Sequence, residues 1–148
     1  MNDATSMIKL YSERILSLAA NLPVTDPLEA PDGSASKRSP LCGSNIRVEI
    51  TLTDGKISEF HQDVKACALG QSAASVFAAN VIGMDLEGVR KGRDQLFAML
   101  TNDGPIPDPP FQELAVLEAA KEYKNRHASI MLVFEATLAA FEETGVTS

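Results

Sequence analysis

Residues 47–65 impose the strongest local constraint on the fold. RVEITLT sets Val48, Ile50 and Leu52 in alternation with polar residues, the two-residue period of a half-buried strand. Asp54-Gly55 suits the positive backbone angles of a tight hairpin turn, and ISEFHQDVK continues as a second strand with imperfect alternation. An antiparallel hairpin brings the start of its first strand beside the end of its second. Cys42 and Cys67, the only two cysteines, flank those two ends and are expected to be neighbours. Such a pair suits metal ligation or sulfur chemistry.

Elsewhere the period is helical. Ile8, Tyr11, Ile15, Leu18 and Leu22 predict an amphipathic helix over 4–22, stopped by Pro23. PVTDPLEAPDGSASKRSP has no periodicity, and its Pro, Gly and Ser content predicts a mobile loop over 23–41. After the hairpin, ACALGQSAASVFAANVIG reads as a close-packing, small-residue helix ended by Gly83. Asp85 is placed to cap a third helix with Leu86, Val89, Leu96 and Leu100 on one face. TNDGPIPDPP breaks the chain, and Phe111, Leu114 and Leu117 start a short helix. A last helix is expected from about 129 to 143, striped by Ile130, Val133, Phe134, Thr137, Leu138 and Phe141. Strands first and helices later predict an α+β domain, with a small antiparallel sheet of about three strands packed on one side by helices.

The chain has 148 residues, suited to a single domain over 1–148. No apolar run approaches membrane-spanning length, and the N-terminus lacks the basic-then-apolar pattern of a secretory signal. Two cysteines make no disulfide framework, so a cytoplasmic location is expected. The net charge of −7 argues against nucleic acid and anionic membranes and leaves room for a basic protein partner. No phosphate-cradling glycine loop, Cys-x-x-Cys, G-x-S-x-G or H-E-x-x-H string occurs. The chemistry therefore rests on the cysteines. Cys67 opens a helix, where free backbone N–H groups and the helix dipole favour a thiolate.

PLCGS, VKACALGQSAAS and RHASIMLVFEATLAA together resemble the iron–sulfur scaffold family of the NifU N-terminal domain, IscU and SufU. The long gap after the second cysteine is closest to the SufU subtype. The resemblance implies a scaffold or sulfur-transfer accessory protein rather than an ordinary enzyme. It also implies a cysteine desulfurase and other iron–sulfur assembly proteins as partners, and an iron–sulfur cluster or zinc as cargo or cofactor. Cys42 and Gly43 match the family's Cys-Gly-Asp turn, and Ser44 stands at its aspartate. Cys67 matches the second cysteine, and Ser129 stands at the third. Val133-Phe134 replaces a frequent Pro-Trp. Cys42 and Cys67 are thus the expected metal ligands and sulfur acceptors, with His127, two residues before Ser129, as a further candidate ligand. Serine hydroxyls ligate zinc or iron weakly at neutral pH.

The same residues also have plainer readings. Ser129 fits an N-cap before Ile130, and Ser44 fits a turn residue. His61 and Asp63 read as solvent-facing strand residues, and Arg126 as a docking or an ordinary surface arginine. Three functional readings follow. The chain holds a cluster or accepts sulfur through Cys42 and Cys67; or it is a divergent member without an intact metal site, acting as a binding or regulatory module; or a dimer pools two thiols per chain.

Overall fold

The computed structural model describes residues 12–40 and 43–146. Its centre is the hairpin: β2 (Asn45–Thr53) and β3 (Lys56–Lys65) pair antiparallel from Asn45↔Lys65 to Thr53↔Lys56, with a register shift between Thr51 and Leu52. Asp54 and Gly55 take φ of 55° and 78°, the two positive angles of a twist-matched two-residue turn. Val48, Ile50 and Ile46 are buried on the inner face, opposite Gln62, Phe60 and Val64.

A third strand, β1 (Gly33–Arg38), pairs antiparallel with β2 from Gly33↔Ile50 to Arg38↔Asn45, giving the order β1-β2-β3. It falls inside the segment expected to be a loop. GSASKR shows no apolar alternation because it is an edge strand held by its ladder to β2. Gly33 is there for close approach: a Cβ would run into the Ala140 carbonyl, with Thr144 Cγ2 at 2.8 Å.

The helices cover the inner face. Of the first expected helix, residues 4–11 lie outside the described residues. Its remainder, α1 (Glu13–Ala20), is capped by Ser12, whose side chain accepts from the Ile15 amide, and buries Ile15 and Leu18. It packs on α2 (Ala68–Asn80), where Ser72 Oγ donates to the Ile15 carbonyl at 2.8 Å. Gly70, Ala73 and Ala74 of α2 are buried, and such small residues let neighbouring elements approach the helix closely. α3 (Leu86–Thr101) begins at Asp85, whose carboxylate accepts from Gly88 N at 2.7 Å. Leu86, Val89, Leu96 and Leu100 are buried as the periodicity requires. A 3₁₀ helix (Gln112–Ala120) buries Leu114 and Leu117, and Phe111 before it joins Phe77 and Phe134 in an aromatic cluster with centroids 4.8–5.7 Å apart.

The last helix, α4, runs Lys124–Thr144 and ends at Gly145, φ 81°. It starts five residues earlier than its apolar stripe indicates. Ser129 is therefore not its N-cap but an interior residue, 1% exposed. α4 is buried on most sides, against β1, β2, α2 and α3.

The sheet's other face is not open to solvent throughout. Thr25 Oγ1 lies 2.8 Å from His61 Nδ1, and the Leu28 amide donates to Glu49 Oε1 at 2.9 Å. The chain between α1 and β1 thus straps over Glu49 and His61, which face each other across β2 and β3 and are both buried. His61 is a covered residue rather than the solvent-facing one its sequence position implies; Asp63 is exposed as expected.

Candidate functional site

The site forms where the start of β2, the end of β3 and the second turn of α4 meet. β3 ends at Lys65 and α2 begins at Ala68, so Cys67 becomes the N-cap of α2. Its backbone is extended (φ −69°, ψ 172°), its carbonyl accepts from Gln71 N at 2.9 Å, and its side chain makes no capping bond. The thiol is free and partly exposed.

Ser44 arrives from the other strand. The Asn45↔Lys65 pairing carries it to the end of β3. The Ser39 amide donates to the Ser44 carbonyl at 2.8 Å and the Gly43 amide to the Ser39 carbonyl at 3.0 Å, tying the turn to the end of β1. Gly43 supplies φ 72°, which a residue with a Cβ rarely adopts. Cys42 lies outside the described residues.

Ser129 joins the two. Its hydroxyl donates to Ser44 Oγ at 3.1 Å and lies 3.6 Å from Cys67 Sγ. Such separations are those between donors of a tetrahedral site with ligand bonds of about 2.0–2.3 Å. Gly70 makes room: a Cβ there would stand 2.6 Å from Ser129 Oγ and 3.1 Å from its carbonyl oxygen. Sequence patterning alone misses Gly70's part in the site. Its only signal is a glycine one turn after Cys67 in a small-residue run.

His127 does not join this group. Two residues along an α-helix is a rotation of about 200°, so with α4 starting at Lys124 it projects away from Ser129. Its Nε2–H donates to the Ala120 carbonyl at 3.0 Å, and the ring lies between α3 and α4 beside Met131 and Phe97. Arg126, also on the first turn of α4, is half-buried. Among the described residues no three His, Cys, Asp or Glu side chains come together as a metal site.

The sequence matches the model of the NifU-like N-terminal domain over residues 10–129. The chain belongs to the NifU-like N-terminal domain family. Among solved structures it is similar to a nitrogen-fixing NifU-like protein (N-terminal) from Brucella abortus, at 37% identity and TM-score 0.92, covering 97% of this chain and 99% of that one. It shares a fold, at 16% identity and TM-score 0.81, with a protein of Fervidobacterium islandicum AW-1, covering 90% of this chain and 98% of the other. That protein is described as an iron–sulfur cluster assembly scaffold for the SUF system. No curated protein matches the chain.

In this NifU-like domain the described donors at the thiol end are one thiol and two hydroxyls. A resident zinc does not fit them. Structural zinc is closed by four strong donors, whereas Ser44 and Ser129 are neutral hydroxyls already bonded to each other, 5% and 1% exposed. No helix among the described residues is long and apolar enough to cross a membrane.

Proposed function

We propose that this NifU-like domain works in iron–sulfur cluster assembly through Cys42 and Cys67, accepting sulfur or sharing a nascent cluster, without closing a metal site of its own. One observation carries this reading. The Ser129 hydroxyl, at the position that resemblance assigns to a third cysteine, lies 3.6 Å from Cys67 Sγ and 3.1 Å from Ser44 Oγ, with Ser129 inside α4, Cys67 at the N-cap of α2 and Ser44 immediately before β2. The site keeps a ligand-like arrangement with oxygen atoms that bind iron and zinc poorly.

Sulfur acceptance needs only a thiolate. The Cys67 sulfur attacks the outer sulfur of a persulfide on a cysteine desulfurase; the new S–S bond forms as the old one breaks, and the desulfurase thiolate leaves. The partly exposed N-cap position of Cys67 supports access for such a donor. A second reading, a binding or regulatory module of the assembly system, is favoured by the hydrogen bond that Ser129 donates to Ser44, which links the two hydroxyls without a metal.

Anaerobic reconstitution with iron and sulfide, read by visible absorption and the metal-to-protein ratio, tests the metal part. The expected result is no stoichiometric cluster in monomeric protein. A stable cluster in the monomer overturns it, and a cluster found only in dimers supports sharing. Incubation with a desulfurase and cysteine, read by intact mass, separates the two readings. A gain of one sulfur atom, lost in Cys67→Ser, supports the acceptor; complex formation without any mass gain supports the module.

A further inference from the structure

The end of the sheet next to the thiol is basic, in a chain whose net charge is −7. Arg38, Asn45 and Lys65 stand side by side in the last row of the ladder, and Ser36, Arg47 and Asp63 share their face in the row behind. The strap's hydrogen bonds fall further back, on Glu49 and His61, and leave Arg38, Arg47 and Lys65 exposed. Arg126 reaches the same end from the helical side. It lies one turn before Ser129 on α4, on the face of that helix that meets Cys67.

The fold makes no use of these charges. Arg38, Lys65 and Arg126 form no ion pair among the described residues, whereas Arg90, Lys91, Arg93 and Lys121 each lie against a carboxylate. Glu49 holds Arg47 at 3.3 Å, and Asp63 is the only carboxylate in the two outermost rows. Grouped like charges without partners repel one another and add nothing to stability. From Arg38 to Lys65 is two strand spacings, about 10 Å, and Lys65 precedes Cys67 by two residues, about 7 Å of chain. Both lengths are near the Debye length of physiological salt, about 8 Å, so an anion approaching Cys67 feels the charges together. A cluster this wide exceeds one small anion and fits several carboxylates on a protein surface. A nucleic acid would instead meet the negative charge of the rest of the chain.

We propose that the thiol end docks an acidic protein surface, whose carboxylates face Arg38 and Lys65 on the sheet side of Cys67 and Arg126 on the helix side. The partner is a sulfur donor with carboxylates around its persulfide, opposite in charge to the partner that the net charge of the whole chain favours. This rests on the reading of Cys67 as a sulfur acceptor and adds to it the chemistry of the donor's face.

β3 supplies a matched pair of variants, Lys65→Glu at the thiol end and Lys56→Glu about 30 Å away at the other, both at exposed positions. With Cys42→Ser leaving Cys67 as the only thiol, exchange with the dianionic disulfide of thionitrobenzoic acid is compared with exchange with neutral dithiodipyridine. In each the Cys67 thiolate forms a mixed disulfide and the aromatic thiolate leaves, and the neutral reagent corrects for any change in the thiol itself. Lys65→Glu is expected to lower the ratio of the two rates about fivefold at low ionic strength, Lys56→Glu to leave it within about twofold, and salt to erase the difference. Sulfur transfer from a persulfidated cysteine desulfurase, read by intact mass, is expected to slow in Lys65→Glu and Arg38→Glu but not in Lys56→Glu. A rate ratio or a transfer rate on which Lys65→Glu and Lys56→Glu act alike overturns the proposal. If the wild type binds the desulfurase without gaining sulfur, the acceptor reading fails and affinity across the same three variants decides the docking surface. Selective weakening by Lys65→Glu and Arg38→Glu then supports it, and equal affinities overturn it. The absence of any complex overturns both.

Discussion

Ser129 is the residue whose role changes most between sequence and structure. A serine before an apolar run reads as a cap, but α4 begins five residues earlier and places its hydroxyl 3.6 Å from Cys67 Sγ. Nothing local announces that earlier start: Tyr123, the actual N-cap, makes no side-chain capping bond, and the first turn is polar. The position depends as much on Gly70 as on Ser129. Gly70→Ala is expected to destabilise the fold by about 1–3 kcal/mol, the usual cost of overpacking, because the new methyl meets Ser129 Oγ at 2.6 Å and Ala66 Cβ at 2.8 Å. Urea denaturation measures this, and a change within about 0.5 kcal/mol, typical of surface substitutions, would show that α2 and α4 are not closely packed here. Ser129→Ala is expected to cost less, about 1 kcal/mol for one lost hydrogen bond.

At the scale of elements, the hairpin and the helix that follows it are legible because the period changes sharply at Cys67, from two to 3.6. β1 is not legible, since its inner-face positions are Gly33, Ala35 and Lys37 and its conformation comes from pairing with β2. The strap is equally silent: its hold on the sheet comes from Thr25 and Leu28 meeting His61 and Glu49, contacts between residues at least 21 positions apart. The Pro-rich break after α3 is tied down in a similar way. Gln95 Nε2 donates to Asp108 Oδ2 at 3.0 Å, the Asp108 amide donates back to Gln95 Oε1 at 2.9 Å, and Lys91 Nζ lies 3.1 Å from Asp108. The Gln95 hydrogen bond, then Lys91, holds the Asp108 carboxyl below its ordinary 3.8. A value lower in the folded than in the unfolded state means the charged form favours folding. Its contribution is complete above the unfolded value and disappears as pH falls through the folded one. The small stability difference between wild type and Asp108→Asn is therefore expected near neutrality and should close as the pH falls below the ordinary 3.8 and through the lower folded-state value. Urea midpoints across that range measure it, and a gap that widens on acidification would contradict the assigned direction.

Across the whole molecule, α4 is the member that joins the site to the core. Phe134 meets the aromatic cluster, Ala140 receives β1 at Gly33, and Ser129 lies between them and the thiol end on the same rigid helix. Side chains held this way should exchange donor atoms without rebuilding the fold, so that only the chemistry changes. Ser44→Asp with Ser129→Cys is accordingly expected to create a metal site with Cys67 and Cys42. Without metal the double variant should be less stable than the wild type, because an aspartate then occupies a position only 5% exposed. Zinc binds the folded form selectively and should raise the melting temperature by several degrees, since stabilisation grows with the logarithm of ligand concentration over Kd. The wild type should not respond. Adding Cys42→Ala to the double variant should remove most of the shift, which places Cys42 at the site by function. A zinc response of the same size in the wild type would mean that the two serines are adequate ligands and that this domain closes a metal site after all.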